Sequence, residues 1–177
     1  MCGNIVVWGG QPTTGQLTTI IKPPNDMQTP LIIKNEITID APAQRVWNAL
    51  VNPEQTKQYM FGCEALSDWN VGSELLWKGI HEGKEIIWVK GEILDIEPEK
   101  FLRYTTIDPH STIDDISENY LQVTYDLIPQ GEKTLLKVTQ GDYSTVAEGE
   151  RRYQDSYNNG EGWNPILVEI KKLVEAQ

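Results

Sequence analysis

From residue 31 onward, apolar positions recur with the short periods of regular structure. In Leu31-Ile32-Ile33-Lys34-Asn35-Glu36-Ile37-Thr38-Ile39, the odd positions Ile33, Ile37 and Ile39 share a face, which predicts a β-strand. The clearest alternation sets Leu121, Val123, Tyr125 and Leu127 against Tyr120, Gln122, Thr124 and Asp126, a strand with one buried face and one wet face. Further strands are expected at Leu75–Gly79, Glu85–Glu97, Phe101–Ile107 and Lys133–Gly141. Turn residues separate them: Asn70-Val71-Gly72, His81-Glu82-Gly83, Glu97-Pro98-Glu99 and Pro129-Gln130-Gly131. Breaks this short join antiparallel neighbours only, because a parallel crossover needs a dozen or more residues. Gly91 inside a long strand predicts a bulge or bend.

Helical spacing appears at two places. After the first strand, Asp40 is placed to cap a helix with Pro42 in its first turn and Val46, Trp47 and Leu50 on one face. Asn52 then caps a second short helix from Pro53 to about Met60, which Gly62 ends. At the C-terminus, Asn164 as cap and Pro165 at the first position precede Ile166, Leu167, Ile170, Leu173 and Val174 at helical intervals. Lys171 and Lys172 suit the negative end of that helix. The order strand, two helices, strand meander and final helix is an α+β arrangement, in which the helix covers the apolar face of the sheet.

Composition narrows the functional classes. The 177 residues suit one domain, and 26 acidic against 15 basic residues give a formal charge of −11. Such a surface repels phosphate, so nucleic acid is an unlikely partner; Arg151-Arg152 and Lys171-Lys172 are too short to form a phosphate track. No apolar run reaches the roughly 20 residues of a membrane span. Met1–Gly10 carries no Lys or Arg ahead of Ile5–Trp8, unlike a secretory signal, and a cytoplasmic location is expected. Cys2 and Cys63 make no disulfide framework, and with His81 and His110 they lack the short-spaced pairs of a zinc site. Met1-Cys2-Gly3 resembles the start of N-terminal-cysteine amidotransferases, but the long glycine-rich body such domains need does not follow. Residues 1–30, rich in Gly, Thr, Gln and Pro, read as an N-terminal extension with one strand at Ile5–Trp8 or Leu17–Ile21. Residues 31–177 read as the domain.

The run Ile39-Asp40-Ala41-Pro42-Ala43-Gln44-Arg45-Val46-Trp47-Asn48-Ala49-Leu50 resembles the opening of START-like (SRPBCC) proteins. Trp69-Asn70-Val71-Gly72-Ser73, Gly91-Glu92-Ile93-Leu94-Asp95-Ile96-Glu97-Pro98, Leu102-Arg103-Tyr104-Thr105 and Gly162-Trp163 resemble, in order, the branch typified by the activator of heat-shock-protein-90 ATPase. The resemblance implies a helix-grip fold, like that of the birch pollen allergen. A curved antiparallel sheet wraps a long C-terminal helix around a cavity, with two short helices after the first strand. Members of the superfamily bind lipids, hormones or polyketides, and a few are cyclases or hydratases. The branch name implies a chaperone partner, yet residues 1–30 are too short for the separate chaperone-binding domain of the full co-chaperone.

Six Trp and seven Tyr against two Phe suit a cavity that needs apolar walls with polar tips. Tyr59, Trp69, Trp77, Trp88, Tyr104, Tyr125 and Trp163 are the expected lining. Arg45 and Arg103 are candidates for a ligand carboxylate, although for both the favoured reading is a side chain that snorkels to the surface. His81 and His110 fall in expected turns. Asp108-Pro109-His110 with Asp114-Asp115 reads as a solvated loop. Asp114, Asp115 and Glu118 lack the spacing of a calcium loop. No catalytic residues, metal ligands or cofactor site emerge. The leading expectation is binding of a small hydrophobic or aromatic ligand. An interaction module, chaperone-directed or homodimeric, is the alternative, and a cyclase- or hydrolase-like enzyme comes third.

Overall fold

The computed structural model describes residues 29–177; the strand expected at Ile5–Trp8 or Leu17–Ile21 lies outside them. Seven strands form one antiparallel sheet: β1 (Ile33–Ile39), β2 (Glu64–Leu66), β3 (Glu74–His81), β4 (Lys84–Glu97), β5 (Phe101–Thr106), β6 (Leu121–Gln130) and β7 (Lys133–Gly141). Their order is β1-β7-β6-β5-β4-β3-β2, so the meander runs hairpin to hairpin and β1 returns to pair with the last strand. Helices α1 (Ala43–Val51) and α2 (Pro53–Tyr59) follow β1, and α3 (Gly149–Tyr157) and α4 (Asn164–Glu175) close the chain. The result is the expected α+β, helix-grip arrangement of curved sheet and C-terminal helix.

Strand parity sorts the residues as the pattern predicts. Leu121, Val123, Tyr125 and Leu127 are buried, as are Leu136, Val138 and Gln140 on the neighbouring strand and Leu102, Tyr104 and Thr106 on β5. Helix α4 lays Ile166, Leu167, Ile170 and Val174 on this face, and α1 adds Val46, Ala49 and Leu50. Burying each such side chain stabilises the fold by about 1.5–3 kcal/mol before the entropy of ordering is subtracted.

Two caps differ from expectation. Asp40 does not cap α1; Pro42 occupies that position, and the Asp40 carboxylate pairs with Lys133 at 3.1 Å. Asn164 is the first helical residue of α4, with Trp163 at the cap. Asn52 does cap α2, accepting from the Glu54 N–H at 2.9 Å.

β4 is where the sheet bends. Trp77 pairs with Val89 but Lys78 pairs with Ile87, so Trp88 is an extra residue without a partner on β3, a β-bulge. On the other edge, Ile93 pairs with Tyr104 and Asp95 with Arg103, which leaves Leu94 as a second bulge. Gly91 is not itself the bulge. It is the point of closest backbone approach, where a Cβ would lie 1.7 Å from the Thr105 carbonyl oxygen.

Candidate functional site

Between the sheet and the start of α4 lies a small cavity. Trp77, Trp88, Tyr104 and Trp163 line it, four of the seven aromatic residues expected there. The space is narrow: a water's centre can range through only about 20 Å3, room for a single molecule.

The other three aromatic residues are elsewhere. Tyr59 is buried, and its hydroxyl donates to the Ala49 carbonyl at 2.9 Å, which ties α2 to α1. Tyr125 lies behind the wall, its ring 6.2 Å from Tyr104 and edge-on to Trp163 at 5.8 Å. Its phenol is hydrogen-bonded to that of Tyr104. Burial pushes the phenols of Tyr59, Tyr104 and Tyr125 above their ordinary range, so all three are neutral groups at physiological pH. Trp69 is half-buried in the turn before β3, in the left-handed region at φ 54°.

Met60, Cys63, Val89, Thr106, Val123 and Gln140 complete the wall and were not singled out from the sequence. Parity alone marks Gln140: it continues the buried series Thr134, Leu136 and Val138, the one amide in that row. Cys63 is buried and disulfide-bonded, a bond that the sequence reading did not anticipate.

Gln140 is 1% exposed, and its Oε1 accepts from the Trp163 indole N–H at 2.9 Å. Trp163 is held in turn by Asn35 on β1. The Asn35 Oδ1 accepts from the Trp163 backbone N–H at 2.9 Å, and its Nδ2 donates to the Glu161 carbonyl at 3.1 Å. Gly162 between them has φ 50°, and a Cβ there would meet Asn35 Oδ1 at 2.6 Å. The clamp therefore needs glycine. Two buried donors on the cavity wall have no partner among the described residues: Gln140 Nε2 and Trp88 Nε1. Each such group costs about 1–3 kcal/mol while unsatisfied.

The charged candidates lie outside the cavity. Arg103 faces Asp95 at 3.7 Å, and Arg45 donates to the Gln177 carbonyl at 2.9 Å. His81 ends β3 rather than lying in the turn; it and His110 stand edge-on to Trp88 at 5.6 and 6.3 Å. Asp115 pairs with Lys90 and accepts from the Tyr120 hydroxyl at 2.7 Å. Among the described residues, no three His, Cys, Asp or Glu side chains gather as a metal site, and no helix is long and apolar enough to cross a membrane.

The family model for Activator of Hsp90 ATPase homolog 1-like protein matches residues 40–175. The chain belongs to that family. Among solved structures, the Cytophaga hutchinsonii protein ChR145 is 37% identical, with a TM-score of 0.67 over 85% of this chain and 97% of its own. An HSP90 activator from Plasmodium falciparum shares the fold at 18% identity and TM-score 0.57, over 81% of this chain and 95% of its own. The Aha1 dimer from Colwellia psychrerythraea is 16% identical with TM-score 0.57, over 81% and 96%. Among curated proteins nothing matches.

Proposed function

We propose that this member of the Activator of Hsp90 ATPase homolog 1-like family binds a small apolar or aromatic molecule between the sheet and α4, with residues 31–177 as the binding unit. The observation that carries the reading is the pair of unsatisfied buried donors on an otherwise mostly apolar wall. Ligand sites are mostly apolar with a few placed polar groups, and a donor buried without a partner is one that a guest can satisfy. Flat rings favour ring-bearing ligands over acyl chains.

Native mass spectrometry of freshly purified protein, followed by thermal shift against flavonoids, polyketide-like aromatics and fatty acids, tests it. A retained small molecule, or a melting temperature raised in proportion to the logarithm of ligand concentration, is expected for the aromatics. A bare mass with no shift from any of them overturns the reading.

The narrowness of the cavity favours a second reading, an interaction module with an incidental cavity. Solved relatives of this fold include an HSP90 activator and a dimer. Val71 and Ile80 are apolar side chains more than half exposed. Light scattering over a concentration series, with pull-down of a chaperone, separates this reading from the first.

A further inference from the structure

We infer that the cavity selects a neutral, flat molecule that presents a carbonyl-type oxygen, and rejects carboxylates of the same shape. The inference rests on the binding reading above and fixes the class of its ligand.

The orientation of Gln140 decides which polar group faces the guest. An indole N–H can only donate, so the atom that meets Trp163 Nε1 at 2.9 Å must be the amide oxygen. Both hydrogens of the amide nitrogen are thereby left over, on a side chain otherwise sealed from solvent. Trp88 Nε1, also unpartnered, is again a donor with no acceptor capacity. The Tyr104 phenol is already engaged with Tyr125 and offers no competing acceptor of comparable freedom. What these two donors lack is an acceptor.

Charge separates a ketone from a carboxylate. Among the described residues, no Lys, Arg or His lines the cavity. Arg103 is committed to Asp95 on the opposite face and Arg45 to the chain end at Gln177. The molecule as a whole carries −11. An anion placed beside Gln140 would be desolvated without a counter-charge, whereas a carbonyl loses little water and gains two N–H donors. The rings of Trp77, Trp88 and Trp163 supply flat apolar contact.

Three naphthalenes of equal size provide the test on the full chain, titrated by NMR with the Trp indole and Gln amide signals followed. 2-Acetylnaphthalene carries the acceptor, 2-ethylnaphthalene lacks it and 2-naphthoate is charged. The ketone is expected to bind about tenfold or more tightly than the hydrocarbon, with naphthoate weakest. Gln140→Met and Trp88→Phe should each remove most of the ketone's advantage and leave the hydrocarbon's affinity nearly unchanged. Trp88→Phe carries the test alone should Gln140→Met fail to fold. Equal binding of ketone and hydrocarbon, or naphthoate as the tightest, overturns the inference and leaves the binding reading standing. No binding of any of the three at about 1 mM overturns both.

Discussion

One face of one sheet behaves in two ways along its length. At one end, Ile39, Leu127, Leu136 and Leu102 meet Val46, Leu50, Leu167 and Ile170 in a close-packed, apolar layer. At the other end β7 and β5 carry Gln140, Thr106 and Tyr104, β4 adds Trp88, and the layer opens into a cavity. β7 shows the change within one strand, running Leu136, Val138, Gln140. The packed end gains its stability from filled volume. The open end keeps polar groups buried that cost free energy until something satisfies them.

Three measurements would break or sharpen this contrast. The largest effect is expected in alkali, because the phenols of Tyr59, Tyr104 and Tyr125 sit where the two ends meet. Their folded pKa values lie above the ordinary value of about 10, so their contribution is complete below that pH and lost as pH rises above it. Each phenol should remove about 1.4 kcal/mol per pH unit. The phenolate absorbance of these three, read as the difference from single Tyr→Phe variants, should then appear together with unfolding; if it appears well ahead of loss of circular dichroism, they are not sealed in. Next, Leu136→Ala at the packed end, where Leu136 is fully buried, should cost about 2–5 kcal/mol in urea unfolding. The affinity for 2-acetylnaphthalene should stay within about twofold, and a large change there would show that the two ends are one unit. The smallest effect is expected from Asn35→Ala, which releases the Trp163 turn. It should cost about 1–2 kcal/mol while weakening the ketone measurably. Unchanged ketone binding would separate Trp163 from the site.

How much of this was legible in the sequence follows the same division. β6, β7 and α4 carry uninterrupted apolar periods, and the strand expected at Lys133–Gly141 coincides with β7. The wall residues Trp77 and Tyr104 lie on strands of regular parity. β4 does not: with Trp88 and Leu94 each unpaired on one edge, its inward positions change parity twice, and no single alternation fits Glu85–Glu97. β2 has three residues, too few for any period. α3 was missed because GERRYQDSY has almost no apolar content; it is held by buried Arg152, which donates to the Asn119 carbonyl at 3.0 Å, and by Tyr153 against Tyr143 at 5.7 Å. Tyr59 and Tyr125 satisfied the compositional argument for the lining, but their hydroxyls found partners inside the protein.

The extra residue at Trp88 works like a frameshift. Before it, the inward positions of β4 fall on even numbers, as Ile86 opposite Gly79; after it they fall on odd numbers, as Val89 opposite Trp77. The second slip, at Leu94, restores the even frame, and Ile96 meets Leu102. The altered frame is thus confined to one short stretch of the wall, with both flanks in register. Paired changes of one residue, one at each slip, would recast that stretch while leaving the rest of the sheet in phase. Within a shared fold, cavities of different shape are therefore reachable through such compensating insertions and deletions.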